Sequence, residues 1–157
     1  MYYYYYYYSD SPNPVQDVKK RIDDVLQNPD ILHNFKSDEF EDFVAEVYRR
    51  NGYEVRVTPK THDGGKDIIA NVTKGGIAFK TLIECKKYDK RRPVDIHVVR
   101  EVYGTQISDR ADKSVIVTTS RFTKQARDFA EKNSIQLVDF DGFIETLRAT
   151  PINENAT

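Results

Sequence analysis

An α/β fold built on a mixed sheet is predicted by three features of the sequence. Two β-rich runs, residues 67–72 and 77–86, flank the polar break Thr73-Lys74-Gly75-Gly76 and read as an antiparallel hairpin. Further on, short apolar runs at 114–118 and 135–138 alternate with helical patterns at 124–132 and 142–147. That order implies right-handed crossovers and a parallel portion of sheet. Two amphipathic helical patterns precede the hairpin, so helices are available to flank the sheet.

Residues 1–13 are low in complexity, a tyrosine run from Tyr2 to Tyr8 followed by Ser9-Asp10-Ser11-Pro12-Asn13. They read either as a tail without a role in activity or as an adhesive segment that adds a strand to a neighbour. Pro14 suits a first helical position, and Val15, Val18, Ile22, Val25 and Leu26 form one stripe over 14–27. This additional helix over 14–28 caps the domain or makes a dimer contact. Asn28-Pro29-Asp30 ends it. Ser37 is the expected N-cap of a second helix, with Phe40, Phe43, Val44 and Val47 inward and Asn51-Gly52 as its stop.

Residues 53–57 alternate like a half-buried strand, closed by Thr58-Pro59. After the hairpin, Pro93 opens a helix running to Ser108, with Ile96, Val99, Tyr103 and Ile107 on one face and Arg100 and Gln106 off it. Thr123 caps the helix at 124–132, whose inward residues are Ala126, Phe129 and Ala130. Asp141 caps the last helix, and 149–157 form a polar tail. The 157 residues thus fit a single domain over 14–148.

Composition narrows the function. Net charge is −1, so any basic surface for nucleic acid must be local and offset elsewhere. The one cysteine, Cys85, excludes an intrachain disulfide and a cysteine-cluster metal site, which fits a cytoplasmic protein. No apolar run is long enough to span a bilayer. His33, His62 and His97 show no ligand spacing to one another and read as structural or surface residues.

The chemistry concentrates at the open end of the hairpin. Glu84 and Lys86, two apart on one strand, point to the same face. Pairing Val72 with Ile77 would set Asp67 opposite Leu82, with Glu84 its diagonal neighbour at roughly 7–8 Å. Two such carboxylates suit a hard divalent cation such as Mg²⁺, for which Mn²⁺ is a substitute, and the lysine can orient a water or stabilise developing charge. Gly64 and Gly65 allow a tight approach to Asp67. Glu41 lies at the flank of its helix stripe and is either a solvated helix glutamate or a further site carboxylate. The run 86–92 holds five basic residues in seven with Tyr88 inside it. It reads either as a solvated loop or, beside an acidic site, as a contact to a phosphate backbone through Lys87, Lys90, Arg91 and Arg92.

Across residues 38–147 the chain resembles the Mrr-type restriction endonucleases of the PD-(D/E)xK nuclease superfamily. The residues that carry the resemblance are Phe40-Glu41, Gly52-Tyr53, Asp63-Gly64-Gly65-Lys66-Asp67-Ile68, Glu84-Cys85-Lys86-Lys87-Tyr88 and the strand and loop from Val115 to Thr123. The resemblance implies a restriction-endonuclease-like mixed sheet, antiparallel hairpin plus βαβα, flanked by helices. It implies Mg²⁺ held by Asp67, Glu84 and the backbone carbonyl of Cys85, water activation by Lys86, and completion of the site by Glu41. Many relatives carry glutamine in place of Glu84, so this chain has the fully acidic version. Asp63 matches the family's turn aspartate and reads as a turn-former. Arg121, in that loop, and Lys124, at the start of the helix after it, join the expected DNA contacts. The implied activity is restriction-type, defence-related hydrolysis of DNA phosphodiesters leaving a 5′-phosphate, by a homodimer or within a larger defence complex. A winged-helix reader often accompanies such a domain, whereas only the 14–28 helix precedes it here. That motivates two alternatives, a structure-selective repair nuclease or junction resolvase, and a non-catalytic DNA-binding module.

Overall fold

A computed structural model describes residues 14–59 and 66–151, with backbone alone at 14–16, 59, 66 and 67. The tyrosine run and the Asp63-Gly64-Gly65 turn, with His62, lie outside the described residues, as does most of the expected tail at 149–157. The elements in order are α1 (Pro14–Gln27), a 3-10 turn (Pro29–Asn34), α2 (Ser37–Arg50), β1 (Glu54–Pro59), β2 (Lys66–Lys74), β3 (Ile77–Lys86), α3 (Ile96–Ser108), β4 (Lys113–Thr118), α4 (Lys124–Lys132), β5 (Ile135–Val138) and α5 (Phe140–Ala149). The five strands form one sheet in sequence order, β1-β2-β3-β4-β5. β1, β2 and β3 pair antiparallel, and β3, β4 and β5 pair parallel. The sheet is mixed, as the sequence predicts.

Two apolar layers sandwich it. Val18, Ile22 and Val25 of α1, Phe40, Phe43, Val44 and Val47 of α2, and Phe143, Ile144 and Leu147 of α5 pack on Ile68, Ala70, Ile83, Val115, Val117 and Val138. Phe143 meets Phe40 and Phe43 edge-on at centroid distances of 5.7 and 5.9 Å, a geometry that adds about 0.5–1.5 kcal/mol per pair beyond burial. On the other face, Val99 and Val102 of α3 and Ala126 and Ala130 of α4 pack with Ile116, Phe122 and Ile135. β4 is buried from Ser114 to Thr118, as expected for a central parallel strand.

The structure corrects several expectations. The hairpin pairs Lys74 with Ile77 and Val72 with Phe79, not Val72 with Ile77. Gly75 and Gly76 both adopt positive φ, +56° and +78°, so two residues complete the turn with the twist of the flanking strands. Ser37 is the first helical residue of α2, and Lys36 occupies the cap position without a side-chain bond. α3 begins at Ile96, not Pro93: Val94 bridges to Phe122, and Asp95 caps the helix by accepting from the His97 N–H. Its buried face is Val99, Val102 and Gln106, while Ile107 is 61% exposed. α5 starts earlier than expected because Asp139, not Asp141, accepts from the Gly142 N–H. The 3-10 turn that buries Leu32 completely follows Pro29, where a simple helix end was expected. Glu46, on α2, is buried and bonded by Arg49 Nε at 3.0 Å and Arg50 Nε at 3.3 Å.

Candidate nuclease site

Alternation along β3 sets the site. Ile83 packs under α2, so Leu82, Glu84 and Lys86 face the opposite side of the sheet, in register with Ser114, Ile116 and Thr118 of β4. Lys86 Nζ lies 3.0 Å from Glu84 Oε1, and the two side chains are 30% and 19% exposed. The pair is wet enough to meet a substrate and dry enough for charges to be felt over a few ångströms. On the neighbouring strand, Ile68 pairs with Ile83 and Asp67 pairs with Thr58 of β1. The β2–β3 ladder ends at Ile68–Ile83, so position 67 lies one residue beyond its last pair, in a register shifted by two residues from the expected one. The two-residue difference in register leaves both positions on one face.

Glu41 sits near the start of α2, half-buried with one carboxylate oxygen enclosed. α2 covers the Ile83 face, so Glu41 belongs to the layer across the sheet from Glu84 and Lys86. The N-terminal end of α2 and the C-terminal end of β3 nevertheless lie at the same end of the molecule. Lys87 Nζ donates to the carbonyl of His33, just before α2, at 2.7 Å. Cys85 is half-buried on the α2 side, near Tyr48. Burial, with Cys85 and Tyr53 adding to it, pushes the Tyr48 phenol well above its usual value.

The basic residues divide by what they touch. Lys90, Arg91 and Arg92 are exposed. The Arg92 guanidinium lies over the Tyr88 ring, 4.1 Å from its centroid, a cation–π contact that holds both groups at the surface. Arg91 pairs with Asp89 at 3.2 Å, and its hydrogen bonds hold the Asp89 carboxyl below its usual value. Lys87 is committed to the His33 carbonyl, and Arg121 Nη1 donates to the carbonyl of Lys90 at 2.7 Å. Lys124, exposed on α4, pairs with Asp128 at 2.7 Å. His33 stacks on Phe140 at 5.1 Å, and His97 is exposed.

The residue types suit a hard cation: the Glu84 carboxylate could supply an oxygen with the Lys86 amine beside it, and Asp67 follows one residue beyond the β2–β3 ladder. Among the described residues no three His, Cys, Asp or Glu side chains form a metal-holding group, and the Asp67 side chain is outside that set. Sequence reasoning missed the hydroxyl row Thr118-Thr119-Ser120, buried where β4 ends. A Thr-Thr-Ser run directly after an apolar strand was the available signal.

A family model described as restriction endonuclease, the Mrr catalytic domain, matches residues 32–147. The methyl-directed type IV restriction enzyme EcoKMrr of Escherichia coli is 30% identical over 131 residues, covering 80% of this chain and 41% of that protein. Protein y4cE of Sinorhizobium fredii is 28% identical over 102 residues, covering 65% of this chain and 26% of that protein. The chain therefore spans well under half the length of these curated relatives. Among solved structures, the DNA modification-dependent restriction endonuclease AspBHI superposes with a TM-score of 0.60 at 20% identity, covering 86% of this chain and 35% of its own. MspJI, solved in complex with a 27-mer oligonucleotide, gives 0.58 at 18% identity, covering 79% and 30%. At that identity the two structures establish the fold alone, which is that of the restriction endonucleases.

Proposed function

Because the chain belongs to the restriction endonuclease family of Mrr catalytic domains, we propose that it is a Mg²⁺-dependent endodeoxyribonuclease of the restriction and defence type. The observation that carries this reading is the Glu84–Lys86 pair at 3.0 Å, next to the end of the β2–β3 ladder, one residue from which lies Asp67. Asp67, Glu84 and the backbone carbonyl of Cys85 would hold the cation, with Glu41 completing the site from the end of the sheet. When bound, the cation supplies charge neutralisation for the phosphodiester and acidity for a water. Lys86 orients the attacking water and donates hydrogen bonds to the charge that develops on the phosphoryl oxygens. Glu84, 3.0 Å from the Lys86 amine, keeps it aimed. Lys90, Arg91 and Arg92 bind the DNA backbone beside the site, with Arg121 and Lys124 further along the same edge.

Duplex cleavage requires two such centres, so the chain acts as a homodimer or within a larger defence complex, in the cytoplasm where DNA and Mg²⁺ are at hand. Among the described residues no helix is long and apolar enough to cross a membrane. EcoKMrr is methyl-directed by name, so the test uses plasmids with and without base methylation. Wild type is expected to nick at least one of them with Mg²⁺ or Mn²⁺. Asp67→Ala, Glu84→Ala and Lys86→Ala each lose about 10²-fold or more in rate, with unchanged circular dichroism. Undiminished cutting by all three variants would remove the assignment, and DNA binding without cleavage by wild type would favour a non-catalytic module.

A further inference from the structure

Beyond the end of β4 the chain keeps pairing with the segment that follows β3, mostly through side chains: the Thr119 N–H reaches the Lys86 carbonyl at 3.3 Å, and backbone bonds between the two segments resume at Val94. Thr118 Oγ1 donates to the carbonyl of Lys86, Thr119 Oγ1 to that of Tyr88, Arg121 Nη1 to that of Lys90 and Ser120 Oγ to that of Arg92, each at 2.7 Å. Every second carbonyl from 86 to 92 is taken. Thr118, Thr119 and Ser120 are buried, while Lys90, Arg91 and Arg92 are exposed on a segment without regular structure. Thr118 Oγ1 also accepts from the Ser120 N–H at 3.1 Å, so the row is braced internally.

We propose that Thr118, Thr119 and Ser120 are positioning residues, a latch that holds Lys86 and the basic strap 87–92 in the shape the nuclease centre needs. The inference rests on the nuclease reading above. Its physical basis is the mismatch between the strap and its surroundings. Five cations within seven residues repel one another, and a solvent-facing loop gains little from packing. Valine or alanine would fill the three buried places without needing a partner; hydroxyls there must bond, and they bond the strap. The carbonyls of Tyr88 and Arg92, the two residues of the stacked pair, are each held by one hydroxyl, so the latch sets both ends of that stack. Thr118 acts one step closer to the chemistry, because the carbonyl it holds belongs to Lys86 itself.

Two roles give two kinetic signatures. Thr118→Val is expected to lower kcat by about 10- to 100-fold through misaim of Lys86, with KM for plasmid nearly unchanged, and Thr118→Ser restores most of it. Ser120→Ala is expected to raise KM and weaken binding of a labelled duplex in Ca²⁺, with kcat nearly unchanged. Hydrogen exchange provides a readout independent of cleavage: amides 88–92 exchange faster in Ser120→Ala and Thr119→Val, while those of β4 keep wild-type protection. Wild-type kcat in Thr118→Val, or unchanged exchange at 88–92 in both other variants, overturns the latch. A wild type that cuts no DNA overturns the nuclease reading and the positioning role with it, whereas exchange at 88–92 still reports whether the hydroxyls hold the strap.

Discussion

Tyr48, mostly enclosed on the α2 side of the sheet, shows how burial acts on a single ionisable group. Its ring packs on Tyr53 at 5.5 Å and its phenol is pushed up by burial, so the folded state resists losing that proton. Below an unfolded pKa of about 10 both states are protonated and the group is neutral in its effect. As pH rises past that value the unfolded chain ionises first, and stability falls by up to about 1.4 kcal/mol per pH unit. Tyr48→Phe keeps the ring and lacks the proton, so its urea midpoint should fall less than that of wild type between about pH 9 and about pH 10.5. Equal falls in the two proteins would contradict it. The shared face of Glu84 and Lys86 was legible in the sequence because a strand's period of two sends i and i+2 to one side; their ion pair at 3.0 Å was not. Nor were Thr118, Thr119 and Ser120. A hydroxyl after a strand carries no sign of its partner, and theirs lie 28 to 32 positions away.

The elements repeat that division between local and long-range signals. Gly75-Gly76 marked the hairpin, but the polar pair Thr73-Lys74 hid the register by reading as turn when both residues belong to β2. At Gly75 a Cβ would meet nothing within 4 Å, so the strain of φ +56° is the whole cost of substitution there. Gly75→Ala should lose about 1–2 kcal/mol by urea unfolding, and Gly75→Asn distinctly less, because asparagine tolerates the left-handed region. Equal losses for both would mean that the turn is not held in this conformation. Helix starts were the weakest expectation. Asp139 and Asp141 are chemically equivalent caps, and the choice falls to Asp139 because the Phe140 N–H is bonded to the carbonyl of Ser120 at 3.0 Å. The start of α3 is delayed in the same way: Val94 is held by Arg121 and Thr123 through its N–H and carbonyl. Both contacts are tertiary, and no local propensity encodes them.

Over the whole molecule a net charge of −1 gives no general attraction to DNA, so the proposed DNA binding would rest on the local basic strap and should weaken steeply with salt. Lys90→Ala and Arg92→Ala should each reduce the salt slope of duplex binding by about 1. Lys87→Ala should leave the slope alone and cost stability, since its amine is spent on the His33 carbonyl and ties the start of α2 to the end of β3. A slope that drops with Lys87→Ala and not with Arg92→Ala would reverse these roles. Metal is the second global lever. In the proposed site, folding would bring the carboxylates of Asp67 and Glu84 to one cation, so binding of that cation would favour the folded state. Saturation at about 100 times Kd contributes about 2.7 kcal/mol, which for a domain of this size raises Tm by roughly 5–10 °C. Asp67→Asn would remove one carboxylate of the proposed site. It should therefore melt no lower than wild type without metal and show no rise when Mg²⁺ is added. A wild-type Tm indifferent to Mg²⁺, or an Asp67→Asn protein that still responds to it, would place the cation elsewhere than between β2 and β3.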